Sequence, residues 1–362
     1  MHGFPHFFFS KQKHKMLTEK EIQQIREELE LCSRPLFLFH DDADGLCSFL
    51  LLYRYKREGK GIVVKTAPKL GEIFIQKVAE YTPDKVFVLD IPIRSQEFID
   101  KCPCPIIWID HHDVIQVDKV KYFNGKRANP EEYVPVSYYN YCITQSDDWI
   151  SLVGCLGDAY IPPYMDEFRK KHPELLPKKT KDMKKLLFST PIGLLTKIFN
   201  FALKGSSSEV ARNVKILTRI DDPQEILAQT TPRGKLIYKH FEKINQRYDA
   251  LLKRIFQKRS RSKMLVFIYE ENNIALSATL ANEAIYKMPD KFIIIGRYRN
   301  GEYKLSIRYN KSPIPEILQR ALMGLDGYGG GHPFACGASI KDYDFPQFIQ
   351  NIRDQVESTP KP

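Results

Sequence analysis

The stretch His40-Asp41-Asp42-Ala43-Asp44-Gly45 sets an imidazole and three carboxylates within five residues, directly after the apolar run Pro35-Leu36-Phe37-Leu38-Phe39. Carboxylates this close raise one another's pKa unless cations neutralise them, and a divalent metal is the usual solution. One Asp at such a place needs no more than a helix N-cap role, accepting from free N–H groups at the positive end of the dipole. Three of them with a histidine ask for more. The theme recurs: Lys85-Val86-Phe87-Val88-Leu89 ends in Asp90, Pro105-Ile106-Ile107-Trp108-Ile109 ends in Asp110-His111-His112, and Leu152-Val153-Gly154-Cys155-Leu156-Gly157 ends in Asp158. Oxygen ligands favour hard cations, and the imidazoles draw the preference from magnesium toward manganese. Two such ions held together can activate water and stabilise both oxygens of an in-line phosphoryl displacement.

These residues converge only if the apolar runs are neighbouring strands. Each run is continuous rather than alternating, which suits a strand buried on both faces of a parallel sheet. Residues 61–65 read as a further strand, and helices over 46–55, 73–81 and 96–101 supply the crossovers that parallel strands require. Strands joined this way deliver their carboxyl ends to one side, where open α/β sheets place ligand sites. The run ending in Asp158 is read as one more of the set, its glycines allowing close backbone packing. A leading helix over 18–31 carries a Thr/Glu capping signal.

Farther on, residues 165–186 gather eight Lys or Arg with two prolines and read as a mobile basic loop. Residues 191–230 read as helical, the last helix starting near Asp221-Asp222-Pro223. From Gly234 to Lys263 ten Lys or Arg face two acids, while Ile237, Phe241, Ile244, Tyr248, Leu251 and Ile255 recur every three or four residues. That spacing predicts a long amphipathic helix with a basic outer face, ending in a linker at 258–263. Strands then restart at 265–269, 292–296 and 303–308, with helices over 280–286 and 314–323. The glycine-rich run Gly327-Tyr328-Gly329-Gly330-Gly331-His332 follows; consecutive glycines can turn their N–H groups toward an anion, or simply make a turn.

The length of 362 residues leans toward two domains, and 43% hydrophobic with 27% charged residues is ordinary for a globular protein. Lys plus Arg at 55 against Asp plus Glu at 44 gives a net charge of +11, which favours a polyanionic partner such as nucleic acid. The seven cysteines form no CxxC pair, so a cysteine zinc site is not suggested; they read as reduced core residues of a cytoplasmic protein. Phe7-Phe8-Phe9 is too short for a signal peptide's apolar core, and no run reaches membrane length, so no membrane association is expected. Residues 1–16 are expected to be disordered.

In motif order and spacing, the sequence from about residue 30 to residue 355 resembles the DHH phosphoesterase superfamily, and within it the RecJ-like and NrnA-like proteins with a C-terminal DHHA1 domain, of the archaeal single-strand exonuclease type. The residues from His40 to Gly45 stand for the first motif, Asp90 for the second, Asp110-His111-His112 for the third and Gly157-Asp158 for the fourth. Ser306-Ile307-Arg308 and Gly329-Gly330-Gly331-His332 stand for DHHA1. The resemblance implies an α/β protein of two domains: a larger parallel-sheet DHH domain over 17–233, a linker helix over 234–263 and a smaller DHHA1 domain over 264–362, with the active site in the cleft between them. It implies that Asp42 helps hold one ion and Asp44 the other, that Asp90 bridges them, and that His111 and Asp158 complete the second site. His40 would be a ligand or a support for one. Asp110 would ligate or orient His111, and His112 would contact the scissile phosphate or protonate the leaving oxygen. Arg308, Gly329, Gly330, Gly331 and His332 would hold a phosphate or the nucleotide chain. Unlike typical RecJ, the sequence carries no OB-like domain after DHHA1, which weakens the expectation of processivity.

The function so implied is a two-metal, manganese- or magnesium-dependent phosphodiesterase trimming single-stranded DNA, RNA or short oligonucleotides from an end. A phosphatase or phosphodiesterase for a nucleoside bisphosphate or cyclic dinucleotide is the second reading. A replication- or repair-complex partner with little catalysis is the third. A scaffold has no chemical need for a full set of metal-site positions, and each of them here carries an acid or an imidazole, so the enzyme reading leads.

Overall fold

The computed structural model describes residues 17–65, 70–92, 96–131, 133–257, 262–270 and 274–357. The expected disorder over 1–16 and most of the linker at 258–263 lie outside these residues. The chain divides into two compact units, one ending at Phe241 and the other starting at Glu242.

The first unit opens with helix α1 (Glu19–Glu30), started by the capping box its sequence announces: Glu21 N–H donates to Thr18 Oγ1 at 3.2 Å and Thr18 N–H donates back to the Glu21 carboxylate at 2.8 Å. There follow β1 (Pro35–His40), α2 (Ala43–Lys56), β2 (Lys60–Val64), α3 (Glu72–Tyr81), β3 (Lys85–Leu89), α4 (Glu97–Lys101), β4 (Ile106–Ile109) and β5 (Lys121–Phe123). The strands form one sheet in the order β2-β1-β3-β4-β5, every pair parallel. Leu36, Leu38, Val86, Val88, Ile106 and Trp108 share a buried cluster with Phe74 and Val78 of α3, while Phe37 and Phe39 point the other way onto Phe49 of α2. Burial on both faces is why these strands read as continuous apolar runs. In this strand order the direction of winding reverses between β1 and β3, the place where such sheets open a crevice at their carboxyl ends.

The rest of the first unit is helical: α5 (Val136–Thr144), α6 (Asp148–Gly157), α7 (Met165–Lys171), α8 (Met183–Ser189), α9 (Pro191–Ala202), α10 (Ser207–Leu217) and α11 (Gln224–Leu227). Two expectations fail here. The run ending in Asp158 is a helix, not a strand. Trp149 to Leu156 of α6 are buried without a break, and a helix enclosed on all sides loses the polar face that would have revealed its period. The basic stretch at 165–186 is not one loop either. Met165 and Phe168 bury one side of α7, and Asp182 caps α8 by accepting from the Lys184 and Lys185 N–H groups. Arg169, Lys170, Lys171, Lys184 and Lys185 belong to two short packed helices, and Lys178, Lys179 and Lys181 lie in the connection between them.

Helix α12 (Pro232–Gln257) has the expected buried stripe of Ile237, Phe241, Ile244, Tyr248, Leu251 and Ile255. Beyond it the second unit comprises β6 (Met264–Glu270), α13 (Ser277–Lys287), β7 (Phe292–Arg299), β8 (Glu302–Arg308), α14 (Ile314–Leu322), β9 (Gly327–His332), β10 (Ala335–Lys341) and α15 (Phe345–Glu357). Its sheet runs β6-β7-β8-β10-β9; only β6 and β7 are parallel. Ile294, Leu305, Ile307, Cys336 and Ile340 pack beneath Leu318 of α14 and Phe348 and Ile352 of α15. The glycine-rich run is therefore an edge strand rather than a turn. No described helix is long and apolar enough to cross a membrane.

Candidate active site

Register brings the first set of residues together. Phe39 is level with Leu89, and Leu89 with Ile109, so the residues that follow, His40, Asp90 and Asp110, end three adjacent strands side by side. Backbone bonds hold them there: the Asp90 N–H donates to the Ile109 carbonyl at 3.0 Å, and the Asp110 N–H to that of Phe123 at 3.0 Å. Asp90 turns out of β3 in the left-handed region, φ 58°, which Asp tolerates better than most residues.

Asp42 and Asp44 sit on α2, which begins at Ala43, earlier than its apolar pattern suggests. Asp42 is the N-cap, accepting from the Gly45 N–H at 3.0 Å through one oxygen and from His40 Nδ1 at 2.6 Å through the other. The cap role and the cluster role coexist in one side chain. Asp44 is buried and accepts from the Val136 and Ser137 N–H groups at 2.8 and 2.9 Å, at the N-terminus of α5. A Cβ at position 45 would lie 2.5 Å from the His40 carbonyl oxygen, so only glycine lets α2 start so close to β1.

Asp158 comes from the C-terminal end of α6. A Cβ on Gly157 would approach that of Ala43 to 2.6 Å; without one, α6 ends against the start of α2 and sets Asp158 beside Asp44. His111 lies between the two sides of the site, its Nε2 3.1 Å from Asp90 Oδ1 and 3.6 Å from Asp158 Oδ2. His112 Nδ1 is 2.7 Å from Asp110 Oδ1. Asp110 thus orients His112, not His111 as expected, and it stands outside the ligand groups described next.

Among the described residues, three groups have donor atoms all within 4.8 Å of one another: His40, Asp42 and Asp90; Asp90, His111 and His112; and Asp44, His111 and Asp158. Asp90 belongs to two of them and so does His111. Both Asp90 oxygens and one Asp110 oxygen are buried with no well-directed hydrogen bond, as is His111 Nδ1. A buried carboxylate left so is costly. The titration behaviour follows from the crowding. Burial, then the charge of Asp90, pushes Asp44 up to about 7. Burial works against charge on His111, yet Asp90 and the neighbouring carboxylates hold it up at about 10. Burial would also raise Asp90, but His111 and His40 keep it well below the usual carboxylate range. In this form the imidazoliums neutralise the acids. A pair of divalent ions would do the same job with better-matched charge, and the oxygen and imidazole donors suit manganese or magnesium.

Two further side chains escaped the sequence reading. The Tyr133 ring lies 5.5 Å from that of His111, and its hydroxyl donates to the Asp158 carbonyl at 3.2 Å. Buried Asn124 donates to the His112 carbonyl at 2.9 Å and holds the backbone of the third motif. Nothing in their local sequence marks them, since both act through positions distant along the chain.

In the second unit, Arg308 ends β8 half-buried. Its Nε donates to Asn282 Oδ1 at 2.7 Å and its Nη1 to the Ile307 carbonyl at 2.8 Å; among the described residues no carboxylate pairs with it. Arg308 and His332 are both level with Ala335 of β10, which puts them on one face of the sheet. The glycines differ from the expected nest, because in a strand successive N–H groups point to opposite edges. At Gly330 a Cβ would meet nothing within 4 Å, whereas Gly331 has φ +146° and a Cβ there would lie 2.5 Å from the Ala335 carbonyl oxygen. Gly329 packs closely over Leu318 and Gly337.

Comparison with known proteins agrees with this division. Residues 36–137 match the DHH family N-terminal domain and residues 261–359 match the DHHA1 domain. Among solved structures, RecJ of Thermus thermophilus in complex with Mn2+ is similar with TM-score 0.68 at 16% identity, over 96% of this chain and 56% of that one. The same protein with Mg2+ gives TM-score 0.59 at 15% identity, over 96% and 54%. A manganese-bound exonuclease RecJ gives TM-score 0.63 at 15% identity, over 95% and 96%. The chain thus spans little more than half the length of the Thermus protein, and at these identities the likeness speaks for the fold. No curated protein matches. With the acid and imidazole motifs gathered on a parallel sheet in the first unit and the DHHA1 sheet making up most of the second, the chain belongs to the DHH family, in its DHH–DHHA1 two-domain form.

Proposed function

We propose that this protein is a metal-dependent phosphodiesterase that hydrolyses single-stranded nucleic acid or short oligonucleotides, removing nucleotides from an end. The observation that carries this reading is the set of three ligand groups sharing Asp90 and His111, with both Asp90 oxygens buried and short of hydrogen-bond donors. His40, Asp42 and Asp90 would hold one ion, and Asp44, Asp90, His111 and Asp158 the other, with manganese preferred to magnesium. Ions there supply Lewis-acid chemistry, acidifying a water and drawing charge from the phosphoryl oxygens.

The remaining chemistry belongs to the chain. His112, its ring oriented by the contact of Nδ1 with Asp110, meets the scissile phosphate or hands the leaving oxygen its proton. Asn124 and Asp110 fix the backbone and ring of that histidine, so both are positioning residues. Arg308 is charged and without a carboxylate partner among the described residues, and anchors a phosphate by a charge-assisted hydrogen bond. His332 and those N–H groups of the glycine strand β9 that face its open edge take part in holding the chain. The protein's excess of basic residues suits a polyanionic substrate.

The test is a gel time course with Mn2+ or Mg2+ on end-labelled single-stranded RNA and DNA of two lengths, with Asp90→Asn run alongside. Ladders that disappear in the variant support the exonuclease reading, and the labelled end gives the polarity. Cleavage restricted to dinucleotides or a nucleoside bisphosphate transfers the function to small nucleotides. No cleavage of any substrate leaves a replication or repair partner as the reading.

A further inference from the structure

We infer that the DHHA1 sheet carries a second phosphate-binding subsite, centred on Arg297 and Lys304, that seats nucleotides of a single strand beyond the one held at Arg308. The inference deepens the proposed function and rests on it for the substrate class.

The register sets out the surface. Ile293, Arg308, Ala335 and His332 form one row across β7, β8, β10 and β9. Ile295, Ser306, Gly337 and Gly330 form the next, and Arg297, Lys304, Ser339 and Tyr328 the third. All point to one face, because directly paired residues share a face and alternate residues along a strand return to it. The middle row is nearly free of side chains over β10 and β9, where Gly337 and Gly330 are exposed.

The third row is electrostatically unfavourable as it stands. Arg297 and Lys304 are directly opposed across β7 and β8, and like charges so placed repel. Arg299 follows Arg297 on the same face, and with Asn300 and Glu302 these side chains line a pocket of about 320 Å3. The one acid, Glu302, is opposed to Arg299 and feels the charge of Lys304, but a single carboxylate leaves the three cations in excess, and its hydrogen bonds go elsewhere. Glu302 Oε1 receives Lys341 Nζ at 2.7 Å and Oε2 receives the Ser339 hydroxyl at 3.2 Å. Among the described residues, no carboxylate forms a hydrogen bond or ion pair with Arg297, Arg299 or Lys304. A half-buried arginine opposed to a lysine over a pocket is a site for an anion.

Its distance from Arg308 says which anion. Lys304 to Arg308 is four residues of extended chain, about 13 Å, which is about four times the stacked repeat of one strand. One phosphate cannot reach both, whereas a polynucleotide lying along β8 over the small-residue row can. Tyr328, 68% exposed at the far end of the third row, offers a ring for a base. Basic groups tracking a backbone beside an exposed aromatic ring are the features by which proteins hold single strands without reading sequence.

The test measures binding with the full-length protein in chelator-containing buffer, where nothing is cleaved. Fluorescence anisotropy compares a labelled dinucleotide with labelled oligothymidylate of about twelve nucleotides, long enough to cross both rows. Arg297→Gln with Lys304→Gln is expected to weaken binding of the longer strand about tenfold and to reduce the slope of log K against log salt by about 1.4, about 0.7 for each phosphate no longer neutralised. Tyr328→Ala is expected to weaken the same strand without changing that slope, and each variant should keep the wild-type Tm. Unchanged affinity and slope in the double variant overturn the subsite. So does polyglutamate that competes as well as the strand and loses the same affinity in the variant, because the patch is then a protein-docking surface. Hydrolysis is scored separately. A wild-type protein that cleaves nothing yet binds long strands in a variant-sensitive way keeps the subsite and loses the catalytic reading; one that cleaves while the double variant binds normally does the reverse.

Discussion

Asp90 holds the acidic cluster together, and its chemistry and backbone make separate demands. Its left-handed φ of 58° means that Asp90→Ala combines loss of the carboxylate with a conformational cost of about 1–2 kcal/mol. Asn shares the tolerance of Asp for this region, so Asp90→Asn is the cleaner substitution. It is expected to lower metal-dependent hydrolysis by more than about a hundredfold, with some loss of metal-free Tm because the His40 and His111 imidazoliums lose the carboxylate between them; retained activity in the folded variant would reject the assigned role. Metal binding itself is open to measurement without substrate. An ion that binds only the folded state at a hundred times its Kd adds about 2.7 kcal/mol. The increment should depend on pH in a definite direction. Asp44 has its folded pKa raised to about 7, so its burial penalises the metal-free protein above that pH and the penalty is relieved as pH falls. His111, raised to about 10, stabilises the metal-free protein fully below its ordinary value and loses that contribution as pH rises through 10. Both groups must be deprotonated to ligate. The Mn2+-induced rise in Tm should therefore grow as pH increases through 7, and it should be absent in Asp90→Asn. A rise that is independent of pH would contradict this linkage.

Each ligand is placed by the element that carries it, and the elements were unequally legible in the sequence. β1, β3 and β4 announced themselves because a strand buried on both faces is apolar without a break, and each ends where Asp or His begins. From there, parallel pairing alone brings His40, Asp90 and Asp110 together. Asp158 was singled out as part of the site for a related reason, but its element was misread. Leu152, Val153, Cys155 and Leu156 are buried all round in α6, and four such residues fit a strand as well as a helix. β9 is hidden by its glycines, which carry no β propensity and fit an anion nest or a turn equally well; the pairing comes from β10. The partnership of Asp110 with His112 depends on ring rotamers that no spacing encodes. The helical assignment of α6 has a consequence for Gly157. Because a Cβ there would lie 2.6 Å from that of Ala43, Gly157→Ala must separate the end of α6 from the start of α2. The substitution is expected to cost about 1–3 kcal/mol and to weaken Mn2+ binding about tenfold to a hundredfold by moving Asp158 away from His111. Titration of the Mn2+-dependent Tm shift measures both; wild-type affinity would mean that Asp158 does not depend on this contact.

Across the whole molecule the division of labour is written in chain order. Every candidate metal ligand lies between His40 and Asp158, in the unit that ends at Phe241, and Arg308 and the glycine-rich strand lie in the other. On the proposed function, ion binding and substrate anchoring therefore draw on different folding units with separate buried cores. The two functions should come apart under mutation. Arg308→Gln keeps an amide donor at the place of Nε for Asn282 but removes the charge and the Nη groups, so it should leave the Mn2+-induced rise in Tm as it is in the wild type. On an oligonucleotide substrate it is expected to lower kcat/KM by about tenfold to a hundredfold, the loss of one hydrogen bond to a charged group being worth about 1.5–3 kcal/mol. If the anchor acts equally on bound substrate and on the transition state, the loss appears in KM; if it takes up charge that develops as the phosphodiester bond breaks, it appears in kcat. Added guanidinium in the assay sharpens the result, because a small cation that restores rate to Arg308→Gln but not to Asp90→Asn locates the missing charge in the second unit. A variant that lost the Mn2+-dependent Tm shift along with activity would mean that the two units do not divide the work in this way.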